Sequence, residues 1–459
     1  MSMREPVFNL LPRPEPMRLA GRAVLVLGLG DTGLAVARWV EGQGARARVA
    51  DTRAAPPRAA DFAGELRSGP FTPALLEGID LLCVSPGLSL QEDVVRAALA
   101  RGIPVVGEIE LFAWHVRAHN HTRVLAITGT NGKTTVTALT GHLLRTAGVD
   151  VEVAGNIGPS ALTALAARAR LPAAWVLELS SYQLETTWSL EPEAAAMLNV
   201  SEDHLDRYAG IDDYAAAKAR IFMGRGVQVL NRDNWRSLGM GLPNRRRVTF
   251  GLDAPASEED FGVVDGVLHE GSHGFARVAQ LPIHGLHNVA NALAACALAR
   301  ALDVPRERLA AGLASFRGLP HRLQRLRERR GVDWYDDSKG TNVGAALAAL
   351  RGLGRPAVLI AGGDGKGQDF SPLAPAVSAH ARAVLLIGRD APLIERALAA
   401  AGVPLERCAT LEDAVTRAAA LAREGDAVLL SPACASFDMF RDYQHRGEAF
   451  AAAVAALED

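Results

Sequence analysis

This sequence has few cysteines and few aromatic residues, and its net charge is small. The chain has a formal net charge of −2 and only 5% aromatic residues. Its four cysteines are Cys83, Cys296, Cys408 and Cys434. They are far apart, with no CxxC pair and no histidine at a ligand-like spacing, which argues against a disulfide framework or a thiolate metal site. No run of lysine and arginine indicates a surface for nucleic acid or for an anionic membrane.

Long apolar runs are missing as well. No stretch reaches the roughly 20 apolar residues that a membrane-spanning helix needs. The start of the chain has two short apolar patches broken by prolines and charges, unlike a signal peptide. We interpret residues 1–20 as an N-terminal extension. We expect a cytoplasmic monomer that acts on small molecules, with neither nucleic acid nor membrane as a partner.

What the chain has in abundance is an alternation of apolar, β-rich runs with alanine- and leucine-rich helical patterns. This alternation is typical of parallel sheets with helices on their faces. The length of 459 residues suggests two to four domains. We predict an α/β protein built of three such modules. The expected bounds are 21–117, 118–318 and 319–459.

Individual elements follow from the same patterns. The first module has predicted strands at 24–30, 48–51, 80–85 and 104–108, and the second has strands that begin at 124, 174 and 194. Residues 252–280 break the alternation, and a hairpin is expected around 263–271. A long helix is expected over 287–302. The predicted strands of the third module are VDWYDDS, AVLIAGG, AVLLIG and AVLLSP.

The segment GLGDTG (28–33) places a GxGxxG pattern between a predicted strand and a predicted helix, and Asp51 ends the next strand. This is a dinucleotide fingerprint, in which glycines let a phosphate approach the amides at a helix N-terminus. A nicotinamide dinucleotide, another nucleotide diphosphate and a simple tight turn are all compatible with it.

The segment GTNGKTT (129–135) is more specific. It follows a strand and opens a helix, so its amides can surround phosphates while Lys133 reaches the β- and γ-phosphates and Thr134 ligates Mg²⁺. Ile127 stands where the usual GxxxxGK[ST] pattern has its first glycine. We therefore expect a variant phosphate loop that binds ATP with Mg²⁺.

Further metal ligands are expected at two strand ends. Glu178 lies where a buried strand ends, and a carboxylate there needs a cation or a metal. The segment NVSEDHLDRY (199–208) places His204 just after another strand, where open α/β sheets bind ligands. A surface or capping histidine is the alternative for His204, and an ordinary solvated lysine is the alternative for Lys218.

Three segments of the third module lie at predicted strand ends. They are DDSKGTN (336–342), GGDGKGQDF (362–370) and SPACASFDMF (431–440). Each changes from an apolar strand to small and polar residues, which allows a ligand to approach closely. Each is equally compatible with ordinary turn chemistry.

Together these segments resemble the Mur ligases of peptidoglycan synthesis, in particular the branch that adds D-glutamate to UDP-N-acetylmuramoyl-L-alanine. The resemblance covers nearly the whole chain from about residue 24. It also includes GNIG (155–158), LELSSYQLE (177–185), HNVANALAA (287–295), GLPHR (318–322) and SPACASFDMFRDYQHRG (431–447). The DNPR-type motif of the meso-diaminopimelate-adding relatives is absent, which disfavours that branch.

The resemblance implies Rossmann-like modules at both ends of the chain and a central ATPase domain of the P-loop type, with Mg²⁺ at two sites. It also implies that GLGDTG holds UDP and not NAD. The residues expected to bind the UDP-sugar are Gly30, Asp31, Thr32, Asp51, Thr52, Arg53, Ser85, Pro86, Gly87, Asn156 and His204. Those expected to bind ATP are Gly129, Thr130, Asn131, Gly132, Lys133, Thr134, Thr135, Asn288, Asn291, Arg322, Asp337 and Lys339. The implied metal ligands are Thr134, Glu178, His204 and a carbamylated Lys218. The implied catalytic residues are Lys133, Glu178, His204 and Lys218.

The same resemblance places the acidic amino acid against residues of the third module. They are Thr341, Lys366, Ser436, Phe437 and Tyr443. Phe437 and Tyr443 stand where the family has leucine and phenylalanine, so the walls of this pocket depart from the family pattern. Neither the motifs nor their order decide between D- and L-glutamate.

The implied reaction begins when the acceptor's alanyl carboxylate attacks the γ-phosphate of ATP, and an amine then attacks the acyl phosphate. The third domain is expected to close over the site and exclude water. Three alternatives remain at this point. They are a different Mur ligase or a folylpolyglutamate synthetase, an NAD(P) dehydrogenase that leaves GTNGKTT unexplained, and a non-catalytic nucleotide-binding regulator.

Overall fold

The computed structural model describes residues 12–119, 121–203 and 207–458. Contacts within the chain divide it into two compact units. The first unit contains the chain as far as Gly251, together with Pro255–Phe261 and Ala294–Leu309. The second unit contains Leu252–Ala254, Gly262–Leu293 and the chain from Ala310 onward.

Five strands near the start of the chain form a parallel sheet in the first unit. They are β1 (Ala23–Leu27), β2 (Arg46–Asp51), β3 (Glu65–Ser68), β4 (Leu81–Val84) and β5 (Val105–Val106). Their order across the sheet is β3-β2-β1-β4-β5, and all neighbours are parallel. The helices of this part are α1 (Asp31–Gly42), α2 (Asp93–Ala100) and α3 (Glu108–Arg117). The four predicted strands are therefore confirmed.

A second parallel sheet in the same unit carries the phosphate-loop segment. Its strands are β6 (Arg123–Thr128), β7 (Val151–Gly155), β8 (Ala174–Glu178), β9 (Ala194–Met197), β10 (Val227–Asn231) and β11 (Arg247–Phe250). They lie in the order β11-β10-β9-β6-β8-β7. The accompanying helices are α4 (Lys133–Thr146), α5 (Ala161–Ala166), α6 (Ser181–Glu185), α7 (Ile211–Ala219) and α8 (Trp235–Gly239). Because β6, β8 and β9 are parallel neighbours, their carboxyl ends meet at one edge of the sheet.

The irregular stretch that follows contains three short strands. They are β12 (Phe261–Val264), β13 (Val267–Glu270) and β14 (His273–Arg277). Asp265 and Gly266 both have positive φ, 48° and 72°, which is the backbone of a two-residue hairpin turn. The predicted hairpin is confirmed, and so is the long helix, observed as α9 (Leu286–Arg300) and followed by α10 (Arg306–Ser315).

The third sheet lies in the second unit. Its strands are β15 (Gln324–Arg329), β16 (Val332–Asp336), β17 (Ala357–Gly362), β18 (Ala381–Ile387), β19 (Leu405–Arg407) and β20 (Ala427–Leu430). They lie in the order β15-β16-β20-β17-β18-β19, and only β15 is antiparallel to its neighbour. Its helices are α11 (Val343–Gly352), α12 (Leu373–His380), α13 (Ala391–Leu398), α14 (Leu411–Leu421) and α15 (Tyr443–Ala455).

The central strands are apolar on both faces because helices cover both faces of a parallel sheet. Every residue of β8 and of β17 is buried, and both were predicted from their apolar runs. The edge strands β3, β15 and β19 were missed, since their sequences ELRS, QRLRER and LER are mostly charged. Charge on an edge strand prevents pairing with other chains, and it also removes the apolar run by which a strand is recognised.

Candidate active site

The predicted phosphate loop lies between β6 and α4. Gly129 and Gly132 both have positive φ, 156° and 85°. A Cβ atom on Gly129 would lie 2.9 Å from the Leu198 Cβ atom, so glycine is needed where the loop passes the end of β9. No side chain caps the first turn of α4, and amides at such a helix start favour an anion.

Asn199, which follows β9, fixes the shape of this loop. Its backbone oxygen accepts from the Thr130 amide at 2.9 Å, and its side-chain Oδ1 accepts from the Asn131 amide at 2.9 Å. The Asn199 Nδ2 atom donates to the Asn131 oxygen at 3.0 Å. Asn199 was not among the predicted site residues, although it is the first residue of the NVSEDHLDRY segment.

Lys133, Thr134 and Thr135 form the first turn of α4. The Lys133 Nζ atom folds back onto the loop, where it donates to the Gly129 oxygen at 2.9 Å and to the Thr130 oxygen at 2.8 Å. Thr134 is half-buried and Thr135 is buried. The loop and its lysine therefore form one local unit.

Lys218 lies on α7 and is almost completely buried, with 1% of its surface exposed. Its Nζ atom donates to the Gly129 oxygen at 2.9 Å and lies 4.5 Å from the centre of the Tyr214 ring. Burial, and then the charge of Lys133, hold the pKa of the Lys218 amine well below its usual value. The alternative of a solvated lysine is therefore wrong.

Glu178 ends β8 and is 1% exposed. Its Oε1 atom accepts from Asn156 Nδ2 at 2.7 Å, whereas its buried Oε2 atom has no hydrogen-bond partner among the residues that the structure describes. A buried carboxylate oxygen without a partner is costly unless a cation completes it. This oxygen fits a metal ligand.

The expected metal site is only partly within the described chain. His204 lies outside the described residues. Within ranges 12–119, 121–203 and 207–458, no group of three or more histidine, cysteine, aspartate or glutamate side chains could hold a metal. Among the expected metal ligands, Glu178 and Thr134 offer oxygen atoms. Oxygen is the ligand type that Mg²⁺ prefers.

A cavity of about 830 Å³ lies in the first unit beside α1, α3 and α5. Four of the residues expected to bind the UDP-sugar line it, namely Asp31, Thr32, Pro86 and Asn156. The other described members of that set, Gly30, Asp51, Thr52, Arg53, Ser85 and Gly87, are not part of its lining. Asn156 connects this cavity to Glu178 through the 2.7 Å hydrogen bond.

Asp51 acts within the fold of the glycine-rich turn. Its Oδ2 atom accepts from the Leu29 amide at 2.7 Å and from Arg53 Nη2 at 2.6 Å. The hydrogen bond from Arg53 lowers the pKa of the Asp51 carboxyl to about 2. A Cβ atom on Gly33 would lie 1.8 Å from the Gly28 oxygen, so Gly33 permits the close approach of α1 to the turn.

The second unit carries the remaining residues predicted to bind ATP. Asn288 and Asn291 are buried in the first turns of α9, where Asn291 Nδ2 donates to Asn288 Oδ1 at 3.0 Å. Arg322 precedes β15, and Asp337 and Lys339 follow β16.

Asp337 is enclosed by polar groups. Its Oδ1 atom accepts from the Leu323 amide at 3.1 Å, and its Oδ2 atom accepts from Ser431 Oγ at 2.7 Å. Burial raises the pKa of the Asp337 carboxyl to about 7, despite these hydrogen bonds.

The residues predicted to bind glutamate all follow the carboxyl ends of β16, β17 and β20, at one edge of the third sheet. They are Thr341, Lys366, Ser436, Phe437 and Tyr443. Lys366 is exposed with a positive φ of 51°, Ser436 is buried, and Phe437 is 70% exposed. Lys339 Nζ lies 4.0 Å from the centre of the Tyr443 ring, so the structure brings a predicted ATP residue against a predicted glutamate residue.

Three family descriptions match successive parts of the chain. A Mur ligase MurD-like N-terminal domain matches residues 22–107, a Mur ligase middle domain matches 127–299, and a Mur ligase glutamate ligase domain matches 321–434. The chain belongs to the Mur ligase family. Mur ligases are ATP-dependent ligases, so the prediction of an ATP-using ligase is confirmed. The alternatives of an NAD(P) dehydrogenase and of a non-catalytic regulator are wrong.

Relatives of this Mur ligase are similar over nearly their full length. The UDP-N-acetylmuramoylalanine–D-glutamate ligase of Nitrosospira multiformis is 56% identical, over 96% of this chain and 97% of the relative. The ligase of the same name from Thiobacillus denitrificans is 55% identical, over 96% of this chain and 98% of the relative. The crystal structure of UDP-N-acetylmuramate-alanine ligase from Thermotoga maritima has the same fold, with a TM-score of 0.56, 19% identity and coverage of 94% and 98%.

A second residue of the Mur ligase site region, after Asn199, was missed from the sequence. Arg446 on α15 is 1% exposed, and its Nη2 atom donates to the Ser338 oxygen at 2.8 Å and to the Cys434 oxygen at 3.1 Å. It therefore joins the loop after β16 to the loop after β20. A buried arginine cannot be told from a solvated one by spacing alone, although Arg446 belongs to the SPACASFDMFRDYQHRG segment.

Among the described residues, every helix is too short or too polar to cross a membrane.

Proposed function

We propose that this Mur ligase joins D-glutamate to UDP-N-acetylmuramoyl-L-alanine at the expense of ATP, as a step of peptidoglycan precursor synthesis. Relatives named for this reaction are 55–56% identical over 96% of the chain. The observation that carries the chemistry is the group formed by Lys133, Lys218 and Glu178 around the phosphate loop.

The first proposed step activates the acceptor. One oxygen of the alanyl carboxylate forms a bond to the γ-phosphorus of ATP as the bond from that phosphorus to the bridging oxygen breaks, which gives an acyl phosphate and ADP. Lys133 and the loop amides bind the phosphates, because charge on the transferring group is stabilised by fixed donors. A free carboxylate is a poor acyl donor, so phosphate serves as the leaving group.

The second proposed step forms the amide. The glutamate amine attacks the acyl carbon, the amine proton is lost to solvent or a base, and phosphate leaves from the tetrahedral intermediate. Thr341, Lys366, Ser436, Phe437 and Tyr443 are the proposed glutamate-binding residues. The cation of Lys366, which is exposed, suits a carboxylate of glutamate.

Mg²⁺ is the proposed metal, at two sites. Thr134, Glu178, His204 and a carbamylated Lys218 would hold it, and when bound it neutralises charge on the phosphates. Carbamylation adds CO₂ to the neutral Lys218 amine with loss of one proton, and it converts a potential cation into an anion. The low pKa of Lys218 supports this because only an unprotonated amine is nucleophilic.

The remaining proposed binding residues follow the two nucleotides. The UDP-sugar binds Asp31, Thr32, Pro86 and Asn156 in the cavity, with Gly30, Asp51, Thr52, Arg53, Ser85, Gly87 and His204 as further members of the set. ATP binds the loop from Gly129 to Thr135 together with Asn288, Asn291, Arg322, Asp337 and Lys339. The proposed domain bounds are 21–117, 118–318 and 319–459. The proposed location is the cytoplasm, since ATP and UDP-sugars are cytoplasmic substrates. The proposed oligomeric state is a monomer.

The test is a ligation assay with ATP, UDP-N-acetylmuramoyl-L-alanine and either enantiomer of glutamate, with the product identified by mass. We expect one ADP and one phosphate per amide formed, with D-glutamate and not with L-glutamate. Ligation of L-glutamate alone, or of another amino acid in its place, would overturn the assignment. UDP-N-acetylmuramate and folyl acceptors serve as controls for the related ligases.

A further inference from the structure

Glu108 is a buried carboxyl group that the proposed reaction does not yet use. It begins α3 and is 2% exposed. Its Oε1 atom accepts from the Leu162 amide of α5 at 2.8 Å. Its Oε2 atom is buried and has no hydrogen-bond partner among the residues that the structure describes. Such an oxygen calls for a partner, since an unpaired buried polar atom is unfavourable.

The neighbouring carboxyl group on the same turn shows the contrast. Glu110 is also buried, but its Oε1 atom accepts from Trp114 Nε1 at 2.8 Å, and its Oε2 atom accepts from the amides of Trp188 and Ser189 at 2.6 and 2.9 Å. Both oxygens of Glu110 are therefore satisfied inside the protein. The difference is that Glu108 lines the 830 Å³ cavity, whereas Glu110 does not.

The surroundings of Glu108 favour its neutral form. Burial raises the pKa of its carboxyl group, although the amide of Leu162, the hydroxyl of Ser160 and the amide of Ala161 act in the opposite direction. The packed helix α5 carries no charged residue, and the one on α6, Glu185, is paired with Arg207 at 2.9 Å.

The charged groups that line the cavity are Asp31, Arg38, Arg58 and Asp61. Arg58 pairs with both aspartates, and Arg38 donates to the backbone oxygen of Asp61. The two cations of the cavity lining are therefore already engaged elsewhere, and neither is bonded to Glu108.

Two other parts of the cavity are already assigned by the proposed function. Thr32 lies in the first turn of α1, beside the glycine-rich turn that is proposed to hold UDP. Asn156 is bonded to Glu178, on the side of the proposed phosphoryl transfer. The acceptor has a nucleotide at one end and a carboxylate at the other. Glu108 belongs to neither group of residues. The part of the acceptor that remains for Glu108 to contact is the uncharged sugar portion between the nucleotide and the carboxylate.

We propose that Glu108 binds the acceptor through its Oε2 atom, which forms a hydrogen bond with a carbonyl or hydroxyl oxygen of the acceptor's N-acetylated sugar portion. This inference rests on the proposed function, since it names a contact to the proposed acceptor. Oε2 forms this hydrogen bond while Oε1 keeps its bond from the Leu162 amide. Glu108 thus recognises the sugar and not the nucleotide.

The test is calorimetric titration of the full-length protein with two probes, UDP-N-acetylmuramoyl-L-alanine and free UDP. We expect Glu108→Ala to weaken the affinity for UDP-N-acetylmuramoyl-L-alanine by about tenfold, because the sugar contact is lost. The affinity for free UDP should stay unchanged. Glu108→Gln should bind both probes like the wild type, since an amide keeps a donor on one atom and an acceptor on the other. The matched control is Glu110→Gln, which should lower the thermal midpoint and leave both affinities unchanged.

Unchanged acceptor binding by Glu108→Ala would overturn the inference, and so would an equal loss of UDP affinity, which would indicate a purely structural residue. A Glu108→Gln variant as weak as Glu108→Ala would also contradict it. If Glu108→Ala does not fold, Glu108→Asp replaces it, because the shorter acid withdraws the free oxygen and should weaken acceptor binding alone.

The outcomes are separable from those of the proposed function. A wild type that neither binds nor ligates UDP-N-acetylmuramoyl-L-alanine defeats the proposed function. A wild type that does both, with no effect of Glu108→Ala on acceptor affinity, defeats this inference only.

Discussion

Lys133 and Lys218 donate hydrogen bonds to the same backbone oxygen, that of Gly129, each at 2.9 Å. Two amino groups that share one acceptor in a buried place do not both keep a positive charge at little cost. Lys218 is the more deeply buried of the two lysines, and its pKa is well below the ordinary lysine value. The low pKa of Lys218 means that this amine gives up its proton more readily than an ordinary lysine.

The lowered pKa of the Lys218 amine predicts carbamylation. Protein equilibrated with ¹³C-bicarbonate should show one carbamate carbonyl signal in an NMR spectrum. Lys218→Met should abolish that signal, and Lys133→Met should weaken it, because loss of the neighbouring charge raises the pKa of Lys218. Lys366→Met, which changes an exposed lysine, is the control and should keep the signal. A signal that survives in Lys218→Met would show that the carbamate is elsewhere.

The cation of Lys133 predicts a large effect on turnover. Lys133→Ala should lower kcat by about 10²–10³-fold, as removal of a preorganised donor to a transferring group does. Acceptor affinity, measured by titration, should stay the same, since Lys133 lies in the phosphate loop and not in the cavity lining. Near-normal ligation by this variant would rule out the phosphate-loop assignment.

The unpartnered oxygen of Glu178 predicts a change in metal dependence. Glu178→Gln should raise the Mg²⁺ concentration for half-maximal activity by about tenfold or more, since an amide is a weaker ligand than a carboxylate. Glu185→Gln is the matched control, because Glu185 is equally buried but paired with Arg207. Activity is measured against free Mg²⁺ at saturating ATP. Equal shifts in the two variants would indicate a general effect of lost buried charge.

Asp337 predicts a pH dependence of stability. Its pKa is about 7 in the folded protein and lower in the unfolded chain, so the folded state binds more protons between about pH 4 and pH 7. Its contribution to the free energy of unfolding is therefore complete below pH 4 and falls as pH rises to 7. The thermal midpoint of Asp337→Asn, relative to wild type, should rise over that interval. A difference that is constant with pH would contradict the assignment.

Arg446 predicts a selective effect on glutamate. It is bonded to the backbone oxygens of Ser338 and Cys434, in the loops that lead to the proposed glutamate residues. Arg446→Met should therefore raise KM for glutamate by about tenfold through loss of these buried, charged hydrogen bonds, with little change in KM for the UDP-sugar. Arg441→Met, at an exposed position of the same segment, is the control. Equal increases in both KM values would indicate loss of folding.

Lysine is rare in this sequence and marks the proposed sites. Only four of the 49 basic residues are lysine, and all four belong to the proposed sites. They are Lys133, Lys218, Lys339 and Lys366. Arginine supplies the other cations, including Arg53 and Arg322 of the proposed sites. A compact ammonium group or a titratable amine requires lysine.

The fold was largely predictable because buried parallel strands have continuous apolar sequences, and β8 and β17 are typical examples. What could not be predicted depends on contacts distant in sequence. Asn199 shapes the phosphate loop from 68 positions away, and Arg446 reaches Ser338 across 108 positions. Neither partner is marked by local periodicity, and the free oxygen of Glu108 becomes visible only beside the cavity.

The central claim, that the loop transfers a phosphoryl group to the acceptor's carboxylate, is tested most directly by oxygen transfer. UDP-N-acetylmuramoyl-L-alanine labelled with ¹⁸O in its alanyl carboxylate is ligated to D-glutamate with ordinary ATP, and the released phosphate is analysed by mass spectrometry. The account predicts one ¹⁸O atom in each phosphate, because the carboxylate oxygen that attacks phosphorus leaves with it. Unlabelled phosphate would contradict the account.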